Sequence, residues 1–110
     1  MSSPNIRRIT LFKIPKPEDR EKLLAVYKRM PEEAVKNGNP YIISMDAGAA
    51  FAEQRSQGYT VAVVSVFASK EDMVYYDNEC EAHGRLKAVA KSVHEGAMMI
   101  YFESIFDKAK

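Results

Sequence analysis

The sequence predicts an α+β domain, one four-stranded antiparallel sheet with helices packed on one of its faces. Three observations predict it. Two segments, "TVAVVSVFAS" (60–69) and "AMMIYFES" (97–104), have strand length and β-rich composition and are apolar on both faces of the pleat. Apolar residues recur at helical spacing from 17 to 30 and again from 79 to 95. The order along the 110 residues is strand, helix, strand, strand, helix, strand, which at this length is a single domain, residues 1–110.

The first strand lies in "IRRITLFKI" (6–14), and Pro15 ends it because proline cannot donate to a ladder. Pro17 suits the first position of a helix, and Glu18 and Asp19 place negative charge where the helix dipole favours it. Leu23, Tyr27 and Met30 form the apolar stripe of that helix, widened by Leu24 and Val26. Pro31 is expected to interrupt or restart it, and "NGNP" (37–40) to form a turn. "YIISMDAG" (41–48) reads as the second strand. Residues 47–58 carry no clear period and read as a loop with room for a short strand or a turn of helix. In the third strand Ala62, Val64 and Val66 face one way and Val61, Val63 and Phe67 the other. "SKED" (69–72) supplies a helix cap in Ser69 with Asp72 three residues on, and "MVYY" (73–76) continues the helix. A second helical run over 79–95 sets Ala82, Leu86, Val89, Ala90 and Val93 on one side, with Gly96 as its stop. "AMMIYFES" is the fourth strand. Four strands with two helical crossovers in this order are ferredoxin-like.

Composition narrows the function classes. With 16 basic and 15 acidic residues the net charge is +1, which gives no general electrostatic reason to bind nucleic acid or an anionic membrane. No segment approaches the roughly 20 apolar residues of a membrane span. One cysteine, Cys80, excludes an intrachain disulfide and fits a reducing compartment. "MSSPNIRR" has no apolar core of a secretory signal, so the expected location is cytoplasmic.

Helices on one sheet face leave the second apolar face of the third and fourth strands without a cover. Each Val, Met or Phe left wet there costs on the order of 1.5–3 kcal/mol. The economical cover is a second copy of the same sheet across a two-fold axis, so a homodimer is expected.

The chain resembles the stress-responsive dimeric α/β-barrel family, often shortened to Dabb. The resemblance rests on the opening strand "ITLFKI", on "GYTVAVVSVFASKEDMVYY" as strand into helix, on the histidine in "CEAH", and on the closing strand "MMIYFES". It implies two ferredoxin-like sheets dimerising into an α/β barrel, with a cavity in each subunit between helices and sheet. Some members, a plant polyketide cyclase among them, use that cavity for aldol-type ring closure with a tyrosine and a histidine. The family's H-P-x-H at the second helix stands here as Cys80-Glu81-Ala82-His83, so only its last histidine is kept, and Tyr76 matches the tyrosine. Two further cyclase histidines fall near Arg8 and Val61. The resemblance makes His83 and Tyr76 the candidate catalytic pair. It places Tyr27, Val61, Val63 and Met99 along the cavity wall.

The residues themselves add limits. His83 and His94, eleven residues apart, return to nearly the same helix direction but lie about 16 Å apart along the axis, too far to hold one metal. Both fall on one edge of the apolar stripe, and His94 joins the candidate ligand-binding set. An imidazole near its ordinary pKa of about 6.5 suits proton transfer, whereas the plain structural alternative is a half-buried, hydrogen-bonded histidine beside the stripe. Tyr75 and Tyr76 point about 100° apart on a helix, so only one faces the cavity. A single Cys-x-x-His, Cys80 with His83, lacks the second pair of a metal site. No phosphate-binding glycine loop, serine elbow or metal-spaced carboxylate set is present, so neither cofactor nor metal is expected. The expected function is a stress-associated barrel homodimer binding a small apolar or phenolic ligand; the alternative is a cofactor-independent, cyclase-like enzyme using the His83/Tyr76 pair.

Overall fold

The computed structural model describes residues 4–107, so the first and last three residues of the expected domain lie outside the described residues. Its elements are β1 (Ile6–Lys13), α1 (Pro17–Glu33), a minimal hairpin of β2 (Val35–Lys36) and β3 (Asn39–Pro40), β4 (Ile42–Ala49), a 3-10 turn (Gln54–Ser56), β5 (Val61–Phe67), α2 (Lys70–Asn78), α3 (Glu81–Val93) and β6 (Gly96–Glu103). The main sheet is antiparallel with the order β4-β5-β1-β6. This is the ferredoxin-like arrangement expected from the sequence. It sets the first strand at the centre, bonded on one side to β5 and on the other to the closing strand β6.

Period-2 alternation decides what each face of β1 carries. Ile6, Arg8, Thr10 and Phe12 share the helix-covered face with Phe67, Ser65, Val63 and Val61 of β5, their register partners. Leu23, Tyr27 and Met30 of α1 and Leu86 and Ala90 of α3 close over that face and are buried with it.

Four local expectations are refined. Helix α1 runs through Pro31 to Glu33 instead of breaking there. The proline removes one hydrogen bond in the last turn, while the buried Leu23, Tyr27 and Met30 hold the helix against the sheet, and Ala34 N–H closes it on the Met30 carbonyl at 2.8 Å. Asn37 and Gly38 both take positive φ, 54° and 80°, the type I′ pattern that joins the strands of a tight hairpin, here β2 and β3. Strand β4 extends to Ala49 and takes in the start of the segment read as a loop, setting Ala47 and Ala49 opposite Val63 and Val61. The second helical run ends at Val93, not Gly96, because Glu95 N–H already bonds the Lys13 carbonyl at 2.8 Å and pulls the chain into β6.

The cap at Ser69 is as expected: its hydroxyl accepts from Asp72 N–H at 3.1 Å. Ser69→Ala should therefore cost about 1 kcal/mol. Urea denaturation checks this, and an unchanged midpoint would mean the cap carries no weight.

Among the described residues no helix covers the opposite sheet face. Three rows of side chains cross it: Ala62–Leu11–Met98, Val64–Ile9–Ile100 and Val66–Arg7–Phe102. Ile100 is 53% exposed, Met98 46%, Phe102 41% and Val64 36%. For side chains of this size such exposure, contiguous over three strands, is the mark of an interface.

Candidate functional site

The site forms where α2 gives way to α3. The last carbonyls of a helix lack intrahelical donors, and side chains of α3 supply them here. His83 Nδ1 lies 2.7 Å from the Tyr76 carbonyl, and Lys87 Nζ donates to the Asp77 carbonyl at 2.6 Å. A carbonyl oxygen only accepts, so Nδ1 carries the imidazole proton and Nε2 keeps its lone pair. The extended residue Cys80 separates the two helices, with its N–H on the Tyr75 carbonyl at 3.0 Å. That break folds the His83 ring flat onto the Tyr76 ring, centroids 3.6 Å apart and planes 11° from parallel.

Arg8 of β1 reaches the same place from the sheet. Its Nη1 donates to both carboxylate oxygens of Asp77, at 2.7 and 2.8 Å, and its guanidinium carbon lies 5.4 Å from the centre of the Tyr76 ring. Asp77 Oδ1 is 3.8 Å from His83 Nδ1, close enough to act by charge without bonding.

These groups open onto a cavity of about 220 Å³ between α3 and the sheet. Arg8, Thr10 and Phe12 line it along β1, Val63 and Ser65 along β5, with Tyr27, Tyr76, Leu86 and Ala90 above them. His83 stands at one end of α3 and His94 at the other, and Lys87 and Lys91 complete the wall. His94 Nδ1 is buried without a hydrogen-bond partner, its ring tilted against Phe12 at 5.7 Å.

Burial sets the protonation states. His83 is 4% exposed, and desolvation, assisted by the nearby Arg8 and Lys87 charges, lowers its pKa to about 4 against the opposing Tyr76 carbonyl and Asp77. It is neutral at pH 7. Desolvation likewise raises the Tyr27 and Tyr76 hydroxyls above their ordinary range, so both remain proton donors. The arrangement thus sets one neutral imidazole acceptor, two phenolic donors, one guanidinium and the Lys87 and Lys91 side chains around an apolar strip of Phe12, Val63, Leu86 and Ala90.

Of the seven residues singled out from the sequence, Tyr27, Val63, Tyr76, His83 and His94 meet around this cavity. Val61 and Met99 do not line it. Val61 shares the sheet face but is packed shut opposite Phe12, 1% exposed. Met99 lies opposite Thr10 on the edge strand β6 and is open to solvent, 40% exposed. His83 is also not a residue beside the apolar stripe. It is buried within the covered face of α3, so replacing it touches the core. Cys80 points elsewhere, into a separate groove with Glu33 and Arg85.

Ser65 and Asp77 escaped the sequence reading, and Arg8 entered it only as a position where the resemblance would put a histidine. For Arg8 and Ser65 a signal existed, a polar residue at an inward position of the alternation: Ile6-Arg8-Thr10-Phe12 and Val61-Val63-Ser65-Phe67.

A profile of the stress responsive A/B barrel domain matches residues 6–104. The chain belongs to that family. A relative from Gibberella zeae, described as a fusaristatin A biosynthesis cluster protein, is 42% identical over 99 residues, covering 89% of this chain and 72% of the relative. Among solved structures, hydroxynitrile lyase from Passiflora edulis superposes with a TM-score of 0.78 at 16% identity, covering 94% of this chain and 95% of the lyase. A dimeric ferredoxin-like protein of unknown function from Thermobifida fusca gives 0.76 at 19% identity, covering 93% and 92%. At such identities the two structures establish the shared fold.

Proposed function

We propose that the protein is a stress-associated, cytoplasmic homodimer, each subunit of which binds a small, largely apolar molecule with one oxygen-bearing end. The uncovered apolar face and the dimeric relatives of the same fold support the dimer. One observation carries the ligand reading: a neutral His83 whose Nδ1–H is committed to the Tyr76 carbonyl, leaving Nε2 to accept from a hydroxyl in the cavity. Apolar walls with few convergent polar groups are the usual form of a small-molecule site.

A second reading, a cofactor-independent enzyme with cyclase-like or lyase-like proton transfer, draws support from the same groups. Tyr27, Tyr76 and Arg8 could stabilise a developing oxyanion while His83 takes a proton. The relative in a biosynthesis cluster and the lyase of the same fold favour some chemistry. Binding stands first because an imidazole held near pKa 4 is a hydrogen-bond acceptor at neutral pH. Drawing a proton from carbon requires the ligand's own negative charge to raise it.

Titration with 4-ethylphenol, followed by backbone amide NMR, tests the first reading. The expected result is saturable shifts at Tyr27, Val63, Tyr76, His83 and His94. Shifts confined to other parts of the chain, or none, would remove it. For the second reading, His83→Gln and Tyr76→Phe should each lower turnover of a linear β-keto substrate by roughly 10²–10⁴. Turnover that neither change affects excludes this cavity as an active site.

A further inference from the structure

The Arg8 side chain is only 9% exposed, and among the described residues just one of its nitrogens is committed: Nη1 holds both oxygens of Asp77. Nε and Nη2 are left. Among the described residues the buried side-chain nitrogens and oxygens without a partner are the Tyr41 hydroxyl and His94 Nδ1. The Nε–Nη2 edge is not among them, so it is accessible, and Arg8 lines the cavity. That edge is the parallel two-donor fork which matches the two oxygens of a carboxylate.

The charge around the cavity agrees. Arg8, Lys87 and Lys91 line it; among the described residues no acidic side chain does, and the carboxylate bonded to them is that of Asp77 behind Arg8. The site therefore carries an unbalanced positive charge. The accessible Nε and Nη2 donors have no acceptor among the described residues, and an anion holds such donors more strongly than a neutral acceptor does. A ligand that brings an anion relieves both conditions.

We infer that the cavity selects carboxylates, the carboxylate lying on the Nε–Nη2 edge of Arg8 and the apolar body running along Phe12, Val63, Leu86 and Ala90 toward His94. The inference rests on the ligand-binding reading above and adds the ligand's class and its orientation. An apolar cavity of about 150 Å³ already accepts benzene, so 220 Å³ admits a substituted aromatic acid or a short-chain one. His94 lies at the far end of the cavity wall.

Calorimetric titration of the full chain with benzoate and with benzamide, its neutral isostere, tests this. Benzoate should bind at least about tenfold more tightly, the margin a charge-assisted bidentate pair holds over neutral hydrogen bonds. Arg8→Lys keeps a cation beside Asp77 but removes the fork, so it should lose about that tenfold for benzoate and nothing for benzamide. Lys91→Gln, at the cavity wall, should cost benzoate less than Arg8→Lys does. In the wild-type protein the Arg8 Nε–H resonance should move with benzoate and not with benzamide, a measurement independent of how any variant folds. Equal binding of the two probes, or an unmoved Nε–H resonance, overturns the carboxylate assignment and leaves the cavity reading intact. A preference that Lys91→Gln abolishes and Arg8→Lys spares overturns the placement at Arg8. Absence of binding by both probes and by 4-ethylphenol removes the cavity reading itself, and this inference with it.

Discussion

Ile9→Glu is expected to convert a micromolar dimer into a monomer. Ile9 occupies the centre of the uncovered sheet face, on the middle strand, between Val64 and Ile100 in one row, with the Leu11 and Arg7 rows on either side. Two sheets packed face to face should bury about 1,600 Å² or more in total, and near a two-fold axis each introduced carboxylate lies close to its own copy. Dehydrating an unpaired carboxylate costs several kcal/mol. Two per dimer should raise the dissociation constant by well over 100-fold. In an isolated subunit the same side chain faces water, so the helix-covered core survives and the variant folds as a less stable, aggregation-prone monomer. Sedimentation velocity across the micromolar range reads this directly. A wild-type protein that sediments as a stable monomer, or an Ile9→Glu variant that remains dimeric, would refute the sheet-to-sheet dimer.

Acid should destabilise the protein through His83, by about 3 kcal/mol per subunit between pH 6.5 and 4. The folded pKa of about 4 lies below the unfolded value of 6.5, so between the two the unfolded chain binds the extra proton. Stability is therefore full above about pH 6.5 and falls as pH drops toward 4, below which this contribution is spent. The groups facing the imidazole are Arg8 from β1, Asp77 and the Tyr76 carbonyl from α2, and Lys87 from α3. His83→Gln removes the titrating group while keeping a donor for the Tyr76 carbonyl. At pH 7.5 this variant should be less stable than wild type, having lost the stack on Tyr76. Toward pH 4 the gap should close. Urea denaturation at several pH values checks both halves, and identical pH slopes for the two proteins would mean His83 does not titrate as its burial implies.

Much of the architecture is written in local periodicity. The alternation in "IRRITLFKI" and "TVAVVSVFAS" and the helical recurrence of Leu23, Tyr27 and Met30 depend only on neighbours along the chain, and the elements formed where they indicate. The uncovered sheet face was legible for the same reason: strands apolar on both sides exceed what helices on one side can cover. Tyr76 and His83 were paired through the family resemblance, and the short stretch around one helix break is what brings them together. Arg8 with Asp77 was not legible. Sixty-nine residues separate them, and only the antiparallel placement of β1 in the middle of the sheet brings the guanidinium to the end of α2. Val61 and Met99 mark the same boundary from the other side. Each has the right parity for the helix face, yet whether a residue of that parity lines a cavity, packs shut or lies open depends on where the helices cross the sheet. The sequence by itself determined which side chains share a face. Tertiary packing decided which of them lose their water, and that loss holds His83 neutral beside the Arg8 guanidinium at the cavity wall.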